Sequence, residues 1–520
     1  MQKIKINKAS LSFGDHLLFT IDSLSIEEGE KVGIVGDNGS GKTTLLEFLI
    51  GNVKGEGEIY CPVATYIKQF EEWDEKFSYL SGGEKTKKIL YQKLDEKSDL
   101  WFLDEPTNHL DIASRVELEN KLKRKKGTFL LISHDRKLLE NFCTAILEIE
   151  DHKVTYYKMG FLEYQRQKAL EKKEKEDAYI AYIEEKRRLE KAVVERKENA
   201  KTIRKAPRRM GNSEARLHRR ESTEIMEKLH KNRKALETRL SKLEKKEKPK
   251  KDISIVMEAR TLSSKMQTIV TVRDLSISFG RKKLLEDASF RIQNGDKVAL
   301  VGPNGCGKTS LIRKIIQKEK GVYLHPSVQV GYFSQELEQL EPSLTVFMYI
   351  RKHTLVTDSM IEIILSRLGI QMELLDIPIY KLSGGEKVKV ALARLLLMET
   401  HFLILDEVTN FLDMNALEGL EALLKEYRGT ILFTSHDRTF IEKIANKIIE
   451  IENTKLTVFE GDYLSYEESK QRRKEKNRDR DLELNMKLTF LSVQIERASL
   501  EEKERLEREY QKLVKEKNQK

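Results

Sequence analysis

The chain of 520 residues is long enough for two to four domains, each with its own core. It is 35% charged, its mean hydropathy is −0.54, and its longest apolar runs, such as "TFLLIS" and "HFLILD", are far too short to cross a bilayer. The net charge of +10 is concentrated: residues 167–251 hold 29 Lys+Arg against 16 Asp+Glu, a net +13, which leaves −3 for the rest.

A basic segment of that kind suits a polyanion contact, and it also suits a solvated, lysine-rich helical surface. The opening "MQKIKINKASLSFG" has no signal-peptide apolar block. Cys61, Cys143 and Cys306 are odd in number and widely spaced, which fits a reducing cytoplasm better than a disulfide framework or a zinc site.

The first chemical signal in chain order is "KVGIVGDNGSGKT" (31–43). A short apolar strand runs into a glycine loop, and "TTLLEFLIG" continues at helical spacing, as a P-loop requires. Gly36, Asn38, Gly39 and Gly41 let backbone N–H groups turn inward around phosphate oxygens. Lys42 should reach the β- and γ-phosphates of ATP, with Thr44 beside them, and Thr43 should ligate Mg²⁺. Then "LWFLDE" reads as a buried strand ending in two carboxylates. Asp104 should hold the metal, and Glu105 is placed to polarise the attacking water as general base. "TFLLISHD" is another buried strand, ending in His134, which would touch the γ-phosphate or orient that water.

The middle of the chain reads as two helices, from about Leu170 to Lys205 and from about Ser213 to Lys246. In the second, Met226, Leu229, Leu236, Leu240 and Leu243 form a heptad-like stripe, interrupted by Arg233, that can pack on the first helix as an antiparallel hairpin. A helix of about 35 residues rises roughly 50 Å, so Pro207 to Gly211 would be a remote tip near 205–213. Residues 201–220 hold eight Lys+Arg and one acid, a net +7, and no aromatic residue occurs between Ile183 and Lys251. Stacking of bases on aromatics is therefore disfavoured. Phosphate contacts and arginine stacking on structured RNA remain, carried by Arg204, Lys205, Arg208, Arg209, Met210, Arg216, Arg219 and Arg220. A plain spacer between the two flanking segments is the simpler alternative.

Beyond the linker the first segment repeats. At an offset of 266, "GPNGCGKT" (302–309) matches "GDNGSGKT", with Gly302, Asn304, Gly305, Gly307, Lys308, Thr309 and Ser310 taking the same roles. At an offset of 302, "LDEVTNFLD" matches "LDEPTNHLD", "LSGGEK" recurs, and "SHDR" recurs. Asp406 is then a second metal ligand, Glu407 a second base and His436 a second histidine. The second copy carries 36 extra residues between Gln335 and Ser383. After Tyr466, a basic run precedes Leu484, Leu488, Leu491 and Ile495 at helical spacing. Ser499 and Glu502 offer a capping box before a second short helix.

Two copies of "LSGGE", with P-loop, Gln, "LDE" and "SHD" in that order, resemble the ATP-binding cassette superfamily. The resemblance implies two α/β P-loop cassettes closing head to tail within one chain on two ATP molecules. Ser81 and Gly83 would meet the phosphates held by Lys308, and Ser383 and Gly385 those held by Lys42. Phe13 and Phe279 would stack on adenine, and Gln69 and Gln335 would help hold Mg²⁺.

The phrase "LDEPTNHLD", the fused pair and the long charged linker resemble the ABC-F family of cytosolic translation ATPases. Gln69 and Ser81 lie only 12 residues apart, which leaves almost no helical subdomain of the kind that couples to a transmembrane partner. The absence of an inserted arm and the charged C-terminal extension look like the Vga and VmlR type of antibiotic-resistance member. That resemblance implies a bacterial 70S ribosome as partner, with the linker reaching toward P-site tRNA and the 23S rRNA of the peptidyl-transferase centre. It implies no membrane partner, a monomer with its cassettes paired internally, and protection from lincosamide, pleuromutilin and streptogramin A type drugs. The expected layout is a first cassette over 1–166, a helical linker over 167–268, a second cassette over 269–467 and a helical extension over 468–520. A housekeeping translation ATPase, a DNA-handling ATPase and an exporter energy module are the competing readings.

Overall fold

The computed structural model describes residues 2–14, 16–68, 82–202, 212–243, 267–280, 282–333, 340–354, 356–497 and 500–518. In the first copy the elements are β1 (Gln2–Phe13), β2 (His16–Glu27), β3 (Lys31–Gly36), α1 (Lys42–Ile50), β4 (Glu56–Tyr60), β5 (Thr65–Ile67) and α2 (Gly82–Leu94), followed by β6 (Leu100–Asp104), α3 (Ile112–Arg124), β7 (Thr128–Ile132), α4 (Arg136–Phe142), β8 (Ala145–Glu150) and β9 (Lys153–Tyr157). The linker holds α5 (Phe161–Thr202) and α6 (Asn212–Lys242). The second copy begins with β10 (Thr268–Phe279), β11 (Lys282–Gln293), β12 (Lys297–Val301), α7 (Lys308–Gln317), β13 (Val322–Leu324), β14 (Val330–Phe333), α8 (Val346–His353) and α9 (Asp358–Arg367). It continues with α10 (Gly384–Leu397), β15 (Phe402–Asp406), α11 (Met414–Glu426), β16 (Thr430–Thr434), α12 (Arg438–Ile444), β17 (Lys447–Glu452) and β18 (Lys455–Glu460). The chain ends in α13 (Tyr463–Arg497) and α14 (Leu500–Asn518).

The repeat in the sequence is a repeat in topology. The second copy orders one sheet β14-β15-β16-β12-β17-β18, and the first orders β5-β6-β7-β3-β8-β9 in the same sense. The strands β5, β6, β7 and β3 are parallel, as are β14, β15, β16, β12 and β17. The antiparallel strands β4-β1-β2 continue the first sheet past β9 to make nine strands, whereas β13-β10-β11 form a separate three-stranded sheet in the second copy.

Burial explains why the central strands read as unbroken apolar runs. In β15, Leu403 and Leu405 join the core on the helical face, while Phe402 and Ile404 join the core against the antiparallel strands. Both faces are covered, so the pattern does not alternate. The helical-face core also takes in Tyr349, Ile350, Ile361, Ile364 and Leu365 from α8 and α9, which occupy the extra residues of the second copy.

The chain divides into two compact units: Met1–Cys143 with Leu147–Tyr156 and Ser254–Lys520, and Thr144–Ile146 with Tyr157–Ile253. The first holds the repeated elements and the C-terminal hairpin, in which Leu484, Leu488 and Leu491 of α13 are buried and α13 contacts α14. The second holds α5 and α6, which contact each other. Leu229, Leu236, Leu240 and Leu243 are half-buried along the expected stripe, and Arg239 donates to Glu185 at 3.0 Å. Arg233 keeps its place in the stripe by pairing with Glu237 at 3.3 Å. The helix α5 begins at Phe161, well before Leu170, and α13 begins at Tyr463, before residue 468. No glycine or proline stands between those starts and the expected ones, so nothing in the chain ends the helix sooner.

In α11 the backbone passes close to the C-terminal end of α9: a Cβ on Gly419 would stand 1.9 Å from the Arg367 carbonyl oxygen. Gly419→Ala should therefore force the two helices apart and cost about 1–3 kcal/mol, read as a lower denaturation midpoint at unchanged slope.

Candidate active site

Each phosphate loop sits at the C-terminal end of a central parallel strand, β3 or β12, with a helix starting behind it. Gly36 and Gly302 have φ of 154° and 156°. A Cβ there would lie 2.6 Å from the Ile149 or Ile451 carbonyl oxygen, so only glycine fits. The same Cβ would meet Ser40 Oγ or Cys306 Sγ at 2.8 Å, which makes Cys306 a packing counterpart of Ser40. Lys42 Nζ donates to Gly36 O at 2.8 Å and Asp37 O at 2.9 Å; Lys308 Nζ donates to Gly302 O at 2.9 Å and Pro303 O at 3.1 Å. Burial draws the Lys42 ammonium below the ordinary lysine range, against the pull of Glu105, Asp413, Asp37 and Asp104.

Strand register brings the carboxylates level with the loops. Asp104 pairs with Ile132 at the end of β7, and Asp406 pairs with Thr434 at the end of β16. Thr43 Oγ1 donates to Asp104 Oδ2 at 2.8 Å. Burial pushes the Asp104 carboxyl up to about 6, against that hydrogen bond. Burial raises Asp406 as well, opposed by hydrogen bonds from Thr434, at 2.6 Å, and Thr309. Among the described residues no cluster of three or more His, Cys, Asp or Glu side chains stands ready to hold a metal alone. A hydroxyl beside one carboxylate instead suits Mg²⁺, which keeps waters and takes phosphate oxygens as further ligands.

Glu105 and Glu407 follow in left-handed backbone, φ 48° and 51°. Such positions cost on the order of 1–3 kcal/mol and persist where surrounding packing imposes them. Glu105 Oε1 lies 3.3 Å from His134 Nε2, and Glu407 Oε1 lies 3.5 Å from His436 Nε2. The hydrogen bond from His436 holds Glu407 below its usual range, while burial lowers His436 against the pull of that same hydrogen bond. The two sites differ in their supports. The Thr434 hydroxyl accepts from the Glu407 N–H at 2.8 Å; Ile132 occupies that place in the first copy, and its carbonyl accepts from the Glu105 N–H at 2.9 Å.

A cavity of about 450 Å³ joins the two copies. Asn38, Gly39, Gly41, Lys42, Thr43, Thr44, Asp104, Glu105 and His134 line it from the first copy, and Gly385, Thr409, Asn410 and Phe411 line it from the second. The head-to-tail arrangement thus brings Gly385 to the loop of Lys42. Ser383 is not among the lining residues: its hydroxyl caps α10, bonded to Glu386 at 2.7 Å. Asn304 donates Nδ2 to His109 O of the first copy at 2.6 Å. The ring of Phe279 is 82% exposed, which leaves its face open. Gln69, Ser81, Gln335, Arg204, Lys205, Arg208, Arg209 and Met210 lie outside the described residues, as do Pro207 to Gly211 and Ser499. For Phe13, Gly83, Arg216, Arg219 and Arg220 only the backbone is described.

Sequence reasoning missed the residues that join the copies. Arg136 donates to Glu421 and to Asp437 Oδ2 at 3.3 Å, and Arg438 donates to Glu119 Oε2 at 3.1 Å. The offset of 302 relates both Arg136 to Arg438 and Glu119 to Glu421, so one ion pair occurs twice in reciprocal form. The signal was the arginine of the repeated "SHDR", although its acidic partner cannot be read from that motif.

Comparison with known families matches residues 19–69 and 285–410 to the ABC transporter family. The chain is 31% identical over 481 residues to ribosome protection protein VmlR of Bacillus subtilis, covering 86% of this chain and 87% of the relative. It is 33% identical to erythromycin resistance ATP-binding protein MsrA of Staphylococcus epidermidis, covering 86% and 97%. It is also 30% identical to ATP-binding protein Uup of Caulobacter vibrioides, covering 86% and 77%.

The Arg136, Glu421, Asp437 and Glu119 side chains are all at most 8% exposed. Removing one member leaves a buried charge short of a partner, with only Asp437 left to Arg136 or only Lys443 left to Glu421. Arg136→Ala and Glu421→Ala should each cost about 1–3 kcal/mol in chemical denaturation, since each remaining charge keeps a second partner, and the double variant less than their sum.

Proposed function

The chain belongs to the ABC-F family of tandem ATP-binding cassette ATPases, and from that premise we propose that it binds the bacterial ribosome and protects its peptidyl-transferase centre from antibiotics. The observation that carries this reading is the likeness, along most of both chains, to a relative named for ribosome protection. A second relative, named for erythromycin resistance, supports a drug-related role. The competing reading, a housekeeping translation factor, is favoured by the likeness to a relative named only as ATP-binding.

The chemistry follows from the cavity. Lys42 and Lys308 move from loop carbonyls to the β- and γ-phosphates, and glycine-loop amides cradle the same oxygens. Thr43 and Asp104, with Gln69, and Thr309 and Asp406, with Gln335, would hold Mg²⁺, which would neutralise charge on the phosphates. Glu105 and Glu407 each accept a proton from the water that attacks the γ-phosphorus as its bond to the bridging oxygen breaks. His134 and His436 orient that water and steady the glutamates. Closure on ATP stabilises the ribosome-bound form, and hydrolysis releases it. The basic linker, near residues 205–213, is the part that reaches the drug site.

Three measurements test these statements. Glu105→Gln with Glu407→Gln should co-sediment with 70S particles in ATP; binding to branched DNA instead of ribosomes would sink the ribosome reading. Expression in a sensitive bacterium should raise the inhibitory concentration of lincosamide, pleuromutilin or streptogramin A drugs at least fourfold by order of magnitude, and Arg208→Ala with Met210→Ala should lower that protection; unchanged values favour the housekeeping reading. Since Asp104 must lose its proton to hold the metal, Mg²⁺-dependent ATP retention at the first site should fall about tenfold per unit as pH drops below about 6.

A further inference from the structure

The two copies touch each other's phosphate loops in different ways. At the first loop, Asn415 in the first turn of α11 donates Nδ2 to Asp37 Oδ1 at 2.6 Å. The repeat offsets set Pro303 against Asp37 and Ala113 against Asn415. The second loop therefore has neither the acceptor nor the donor for this bond. Its cross-copy contact runs through Asn304, which donates Nδ2 to His109 O at 2.6 Å and its backbone N–H to Asp111 Oδ2 at 3.2 Å. The counterpart of Asp111 is Asp413, and it is turned inward: Lys389 Nζ donates to it at 2.7 Å, both side chains buried. The corresponding lysine of the first copy, Lys87, pairs with Glu117 at 2.6 Å instead, which leaves Asp111 able to reach across.

Asp37 is bonded at both ends. Its backbone carbonyl accepts from Lys42 Nζ at 2.9 Å, and its side chain accepts from Asn415 of the other copy. The conformation of the residue beside the lysine thus depends on the position of α11. An amide donating to a carboxylate is a charge-assisted bond, stronger than a neutral pair.

We propose that Asp37 and Asn415 form a latch belonging to the first ATP site alone, two positioning residues that hold the first phosphate loop against the second copy and slow nucleotide release there. The inference rests on the reading of Lys42 and Lys308 as the two ATP sites. Alanine at 415 is compatible with the fold, because Ala113 occupies the matching position of α3.

The test follows release of a fluorescent ATP analogue from the full chain carrying Glu105→Gln and Glu407→Gln. Lys42→Ala and Lys308→Ala, added one at a time, assign each release phase to its site. Asn415→Ala should quicken the phase that Lys42→Ala abolishes by about five- to tenfold, as for loss of one hydrogen bond at a solvent-exposed position, and leave the other phase within about twofold. Exchanging the partners, Asp37→Asn with Asn415→Asp, should restore slow release, since the bond reforms in reverse and an acid in the first turn of a helix is favourable. Equal quickening of both phases, no quickening, or failure of the exchange to restore slow release overturns the latch. Release phases that depend on neither Lys42 nor Lys308 overturn the site assignment, and the latch with it.

Discussion

Both candidate sites depend on the two copies meeting in one relative position, and buried charge fixes that position. Arg136 and Arg438 each leave water to pair with acids of the opposite copy. Burial alone would lower the basicity of Arg136, yet Asp437 and Glu421 raise it, so the guanidinium stays charged in the interface. An unpaired buried guanidinium is costly, whereas an apolar contact tolerates sliding. The reciprocal pairs therefore discriminate against misaligned closures. Each arginine directly follows the "SHD" stretch that carries His134 or His436, and the pairs stand next to the site chemistry.

Within that frame the copies have diverged where the site chemistry is supported. The glutamates and aspartates are the same, and both glutamates hold the same left-handed backbone. The supports differ: a threonine hydroxyl steadies Glu407 where a backbone carbonyl steadies Glu105. Val408, which replaces the proline of the first copy, is fully buried, and Phe411, which replaces the histidine, lines the first cavity. Substitutions in the second copy thus alter the walls of the first site, because that cavity is lined by both copies.

The linker and tail obey simpler physics. The α5 and α6 pair is held by a thin stripe of half-buried leucines and a few surface ion pairs, such as Arg239 with Glu185. Surface pairs of this kind contribute roughly 0–1 kcal/mol each. Such a hairpin stands by the length and regularity of its helices rather than by a deep core.

The sequence by itself determined the doubled architecture, the order of motifs and the residue types of the chemistry. Those features are local: a glycine loop followed by a helix, or an apolar strand ending in Asp-Glu, is readable from neighbours in the chain. It also placed the linker helices and the start of the second, but not the start of the first, because no breaker marks where the first cassette ends and that helix begins. Only the tertiary structure decided which residues of one copy complete the surroundings of the other's loop. Asp37 with Asn415 and Arg136 with Glu421 are separated by 378 and 285 residues. Nothing in periodicity or spacing encodes such a pairing; it arises only when two folded surfaces meet, and for Arg136 because a charge buried there must find a partner.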